Sequence, residues 1–211
     1  EFRRVLFRSF FNPPRYMYLV ELIPTSYTEA TVVDKLEAFV TSAVGKGVVR
    51  CEDSPNFIAN RVGVAGLLLT LIEVKNFGLG YDIVDDLTGK KMGRASSGTF
   101  RTCDVVGLDT MAHVIKTLQN SCTADAFHGA FGVPADVQAL IDKGNFGQKT
   151  KAGFYKKDGK ALFQFDLKSG EYVPAGNKAD KDVTDILKKA PAERLKALRE
   201  SSNPQAQFIW A

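Results

Sequence analysis

The chain has 211 residues, 45% hydrophobic and 25% charged, the balance of a globular protein with enough chain to bury a core. Its net charge of +4 falls to +2 once the three Arg and one Glu of residues 1–9 are set aside, too little to mark a nucleic-acid partner. Cys51, Cys103 and Cys122 have no CxxC spacing, which excludes a disulfide framework or a cysteine zinc site and predicts free thiols in a reducing compartment.

Residues 1–9, EFRRVLFRS, read codon for codon as the translation of a common short-read sequencing adapter. They are expected to be an adapter-derived scar outside the fold; the alternative is a native basic, aromatic arm. On the first reading the chain is an internal fragment whose native N-terminus is missing, and a cytoplasmic location is only the default. No span of a membrane is predicted, because the longest apolar stretch, Val62 to Ile72, falls short of the ~18 residues a spanning helix needs.

Tyr16 to Ile23 is aromatic and aliphatic except for Glu21, the pattern of a strand covered on both faces. A carboxylate there needs a partner, since burying an unpaired charge is costly; the plainer alternative is a strand end where Glu21 reaches water. Thr28 to Val44 has helical spacing, and Val48 to Cys51 is a short strand. Strand, helix, strand is a βαβ unit, the last piece of a doubly wound nucleotide-binding sheet. The GxGxxG turn that cradles a pyrophosphate does not occur in these residues.

At Asp53 the composition changes, and a boundary between a terminal β-α-β piece (10–52) and a helical domain (53–176) is placed there. Ser54-Pro55 predicts a helix start, with the helix running to about Asn76. Further helices are predicted over Tyr81–Met92, over Thr102–Asn120 as two segments meeting at Gly107, and from Pro134 to Lys143. Ala161 to Val173 reads as a hairpin around Lys168-Ser169-Gly170. Residues 177–211 are helical by pattern, broken at Ser201-Ser202-Asn203-Pro204. The only histidines, His113 and His128, lack the spacing or neighbours of metal ligands; no metal site is predicted.

Four segments carry a resemblance. FFNPPRYMYLVELIPT (10–25), DSPNFIANR (53–61), FRTCDVVGLDTMAHV (100–114) and GNFGQKTKAGFY (144–155) together resemble the 3-hydroxyacyl-CoA dehydrogenases. The resemblance runs from Phe10 to Ala211 and begins where the adapter sequence ends. It implies a mainly α fold: the family's helical C-terminal domain preceded by the end of its Rossmann NAD-binding domain. It also implies an enzyme that oxidises a (3S)-3-hydroxyacyl-CoA to the 3-oxoacyl-CoA with NAD, in fatty-acid β-oxidation. In that family a catalytic His stands immediately before the first Phe, a position held here by Ser9, and a Glu at the position of Glu21 holds the His. The equivalent of Asn60 lines the substrate site, while Asn12 and Lys149 are expected to touch cofactor or CoA. Asn56 departs from the family's usual Gly.

The ending LKALRESSNPQAQFIWA (195–211) resembles bifunctional members, in which a second helical repeat and an enoyl-CoA hydratase domain follow, so 177–211 is expected to link into a truncated second repeat. The helical domain is expected to dimerise or to pack on that repeat. Without the catalytic His or the glycine-rich turn, the chain by itself is expected to be inactive. Two other classes stay open: a different β-hydroxyacid dehydrogenase, and a helical packing or dimerisation module without catalysis.

Overall fold

A computed structural model describes residues 6–11, 14–166 and 168–211; the expected contact residue Asn12 lies outside them. Strand β1, Leu6–Phe10, pairs antiparallel with β2, Leu19–Pro24. Leu6–Ser9, set aside in the sequence as adapter-derived, thus form part of a paired strand. An edge of β2 carries unpaired backbone donors and acceptors, and an extended segment joined to it by a short connection satisfies them. Helix α1, Ala30–Ser42, then crosses to β3, Gly47–Arg50, which runs parallel to β2. The βαβ unit is as the pattern predicts, with β2 at the centre of three strands.

Successive side chains of a strand face opposite ways. Val20 and Leu22 of β2 pack on Val33 and Val40 of α1. Glu21 and Ile23 point to the other face, and they too are buried.

The helical part comprises α2, Ala59–Phe77, α3, Tyr81–Thr88, α4, Phe100–Val106, α5, Leu108–Ser121, and α6, Ala135–Asp142. Helices α4 and α5 meet at Gly107 as predicted. Helix α2 does not start at Ser54-Pro55. Asn56 and Phe57 have φ of 60° and 53°, left-handed backbone that no helical turn accepts, so the helix starts beyond them. The departure at Asn56 falls on a position that a glycine would take without strain and that Asn tolerates better than most residues.

Beyond α6 the chain forms an antiparallel meander of β4, Tyr155–Asp158, β5, Ala161–Phe165, and β6, Tyr172–Pro174, one strand more than the predicted hairpin. Helices α7, Lys181–Leu187, α8, Pro191–Glu200, and α9, Pro204–Trp210, complete the chain. The predicted break at Asn203-Pro204 is a helix start: the Asn203 side chain accepts from the Gln205 amide at 2.8 Å, with Pro204 at the first helical position. Val183, Leu187, Leu198 and Phe208 of this last part enter the same core as Leu68, Leu71 and Leu118. The Phe208 ring meets Phe77 of α2 edge-on at 6.4 Å.

Three buried aspartates hold the helices to the segments that follow. Asp85 accepts from the Phe100 and Arg101 amides at 2.6 and 3.1 Å, capping α4, and from the Tyr155 hydroxyl at 2.8 Å. Asp82 accepts from the Gly176 and Asn177 amides at 2.9 and 2.8 Å. Asp104 of α4 accepts from the Phe154 and Tyr155 amides at 2.8 and 2.9 Å. Charge-assisted bonds to backbone donors are the means by which such carboxylates tolerate burial. The glycines of GNFGQKTKAGFY are explained by the same contact. A Cβ on Gly153 would collide with the Asp104 carboxylate, and one on Gly147 with the Asp104 backbone carbonyl. Tyr81, Phe100 and Phe154 stack beneath them with centroids 4.4–4.9 Å apart.

Burial pushes the Asp104 carboxyl up to about 6, against the pull of its two amide donors. The folded chain therefore holds this proton more tightly than the unfolded chain does. The contribution of Asp104 to stability is full below the unfolded value and falls as pH rises through about 6. In thermal melts the parent chain should lose stability relative to Asp104→Asn between pH 4 and pH 7. A pH-independent difference between the two would contradict this assignment.

Candidate active site

Glu21 sits in the middle of β2 and is 1% exposed. Its partners come from the start of α2: Oε1 accepts from the Ile58 amide at 3.1 Å and from the Ala59 amide at 2.7 Å. A helix start has amide donors with no partner inside the helix and a partial positive charge, both suited to a carboxylate. No side chain of α2's own neighbourhood caps it; Glu21, contributed from the sheet, does. The other oxygen, Oε2, is buried without a hydrogen-bond partner among the described residues.

Ser9 of β1 lies directly across from Glu21 in the ladder, and Val49 of β3 lies across on the other side. Opposed residues of neighbouring strands share a face, with Cβ atoms ~4.5–5.5 Å apart in an antiparallel pair. The two positions singled out in the sequence, twelve residues apart, are thus brought together. Cys51 lies close by. Its thiol donates to the Val49 carbonyl at 3.7 Å, and burial, reinforced by the Glu21 charge, raises its pKa, so it stays a protonated, weak nucleophile.

Asn60 follows the Ala59 amide that Glu21 holds, and its side chain is exposed in the first turn of α2. Lys149 is differently placed. Its ammonium bonds both oxygens of Asp109, each at 2.6 Å, in the first turn of α5, and it packs over the Phe146 ring at 5.6 Å. That pairing holds the Asp109 carboxyl below the usual carboxylate range and ties the loop to the helix.

A cavity of about 790 Å³ opens beside this point. Cys51 and Ile58 are at its Glu21 side, Phe57, Phe127 and Phe131 supply aromatic walls, and α2 adds Val62, Ala65 and Leu69. Arg61 and Asp125 at its edge are paired with each other. The Phe127 amide, and then the Arg61 guanidinium, hold the Asp125 carboxyl below its usual range. The Glu21–α2 cap and this cavity are the features that sequence reasoning missed. The one available signal was the departure at Asn56, which marks the turn that aims the α2 amides at β2.

Residues 57–157 match the family model of the 3-hydroxyacyl-CoA dehydrogenase C-terminal domain. Residues 2–54 match that of the 3-hydroxyacyl-CoA dehydrogenase NAD binding domain, a match that includes β1. The chain is 39% identical over 204 residues to the Bacillus subtilis protein named "Probable 3-hydroxyacyl-CoA dehydrogenase", covering 95% of this chain and 26% of that protein. It is 32% identical over 155 residues to a Mycobacterium tuberculosis 3-hydroxybutyryl-CoA dehydrogenase, covering 72% and 52% of the two. The crystal structure of the Escherichia coli 3-hydroxybutyryl-CoA dehydrogenase aligns with a TM-score of 0.62 at 27% identity, over 72% of this chain and 31% of that one. The chain belongs to the 3-hydroxyacyl-CoA dehydrogenase family, whose members are NAD-dependent oxidoreductases. It spans 26% and 52% of the length of these two relatives.

Loss of the cap should be measurable as stability. Glu21→Ala removes the one oxygen that accepts from both amides and should cost about 1–2 kcal/mol in urea unfolding, the range for a lost helix cap. Glu21→Gln keeps a carbonyl acceptor and should cost less. Equal stabilities for the parent and Glu21→Ala would show that the contact carries no load.

Proposed function

We propose that this chain carries part of the active site of an enzyme that oxidises (3S)-3-hydroxyacyl-CoA to 3-oxoacyl-CoA in fatty-acid β-oxidation. Residues 10–52 would be the end of its NAD-binding domain, 53–176 its helical domain, and 177–211 the passage toward a further repeat. NAD, when bound, supplies the hydride acceptor. The glycine-rich turn for its pyrophosphate is not among these residues, so they carry no step at the nicotinamide.

What supports the proposal is the geometry at Glu21. One carboxylate oxygen is spent on α2, while the other is buried without a described partner, on the face that position 9 shares. An imidazole at position 9 would complete that oxygen's hydrogen bonding. The carboxylate would then fix the ring's orientation and stabilise it when protonated. Such an imidazole takes the proton from a substrate hydroxyl as general base, a role worth roughly 10²–10⁴ in rate. Ser9 cannot do this, because its hydroxyl does not accept a proton near neutral pH. Asn60, in the first turn of the helix that Glu21 caps, would position the reacting end of the substrate. Lys149, engaged by Asp109, is assigned a supporting role in the loop.

The pairing can be tested without the cofactor. In Ser9→His, NMR titration should find an imidazole pKa about one unit or more above the ordinary ~6.5. Adding Glu21→Gln should return it to the ordinary value. With Ser9 in place the chain should reduce no NAD with a 3-hydroxyacyl-CoA. An unshifted imidazole in Ser9→His, or turnover by the Ser9 chain, would remove the basis for this assignment.

A further inference from the structure

A second cavity, of about 670 Å³, lies between α4 and the strands β4 and β5 and shares no lining residue with the cavity beside Glu21. Its wall is basic. Arg101 of α4, Lys151 of the loop before β4, and Lys156 and Lys157 of β4 all line it. None of the four forms an ion pair with a carboxylate among the described residues, whereas Lys75, Lys91, Lys149 and Lys178 each do. Asp104 is the one acid among the lining residues, and its two oxygens are taken by the Phe154 and Tyr155 amides. Asp85 feels the Arg101 charge, but it too is occupied, by the Phe100 and Arg101 amides and the Tyr155 hydroxyl. Aromatic rings hold two of the cations in place: the Arg101 guanidinium lies over Tyr155 at 5.1 Å and the Lys156 ammonium over Tyr172 at 5.7 Å.

Lys151 adds a second, independent observation. Its backbone is left-handed, with φ of 62°, because the turn closes on itself: the Gly147 amide donates to the Ala152 carbonyl at 2.6 Å and the Lys151 amide to the Gln148 carbonyl at 3.1 Å. Glycine takes that backbone without strain, and lysine does not. The Lys151 side chain is exposed, so neither core packing nor an ion pair offsets the strain. Strain kept at such a position points to a use for the side chain, and this side chain lines the cavity. We propose that the cavity binds a free di- or triphosphate. Such a group carries several negative charges on adjacent phosphates, which suits cations converging from α4, the loop and β4; a single carboxylate would engage only part of them. Arg101 offers a planar fork to phosphate oxygens, and the lysines act as point charges around it. The cavity's size is that of a small-molecule site.

The test is calorimetric titration of this chain with inorganic pyrophosphate, which should bind at one site per chain and more weakly as salt is added. Lys151→Gly should do two opposite things. It should raise the melting temperature of the free chain by about 2–4 °C, since the strain is relieved, and weaken pyrophosphate about tenfold or more. Arg101→Gln should weaken it as well. Lys188→Gln removes a charge outside the cavity and should leave the affinity unchanged. Adenosine diphosphate binding more tightly than pyrophosphate would identify a nucleotide as the source of the phosphates; equal binding would identify the inorganic anion. Four results would overturn the proposal. One is no pyrophosphate binding at millimolar concentration. Another is an equal loss in Lys151→Gly and Lys188→Gln, which is the behaviour of diffuse surface charge. A third is polyglutamate binding as tightly as pyrophosphate, which would make the face a dock for an acidic chain. The last is displacement of pyrophosphate by an equal concentration of CoA, which would place a CoA diphosphate there instead of a free one.

Discussion

A carboxylate buried in a β-strand has to be answered by donors, and where those donors come from decides how the neighbouring parts sit. Glu21 is answered by the first amides of α2. The interaction serves both partners, because the helix start needs acceptors as much as the carboxylate needs donors. It joins the three-stranded sheet to the helical part at one point. Ser9 lies across the ladder from it, and Asn60 follows the second of the two amides it holds. One oxygen of the carboxylate does this structural work, while the second is buried with no hydrogen-bond partner among the described residues.

The helical part repeats the device. Asp82, Asp85 and Asp104 each take backbone amides from segments distant in sequence, so buried acids, as well as apolar contacts, set how the meander and the last helices dock on α3 and α4. This gives the glycines of the loop before β4 a physical meaning: Gly147 and Gly153 let that backbone close onto Asp104. Lys149 in the same loop is drawn to Asp109. The loop is in this way pinned at both of its charged contacts to α4 and α5.

Much of this was legible in the sequence. The βαβ unit, the pair of helices meeting at Gly107, and the break at Asn203 follow from periodicity and turn residues, which are local properties of the chain. The apolar run around Glu21 left open whether it is buried or reaches water at a strand end, and the structure buries it. What could not be read was the identity of its partner, since the donors are backbone amides thirty-seven and thirty-eight residues away and no side-chain pattern encodes them. The predicted start of α2 failed for a related reason. Ser54-Pro55 has the composition of a helix start, but the turn at Asn56-Phe57 is imposed by the docking of Ile58 and Ala59 on Glu21. Strand β1 shows the opposite case: a segment set aside by its codons nevertheless pairs along the edge of β2.

The most direct measurement is amide hydrogen exchange at Ile58 and Ala59. If Glu21 is the cap of α2 and the link between sheet and helices, both amides are protected in the parent chain although they stand at a helix start, where exchange is ordinarily fast. In Glu21→Ala that protection should collapse at these two amides while the interior of α2, around Leu68 and Leu71, keeps its own. Rapid exchange at Ile58 and Ala59 in the parent chain, or protection that survives Glu21→Ala, would contradict the central role given to this contact.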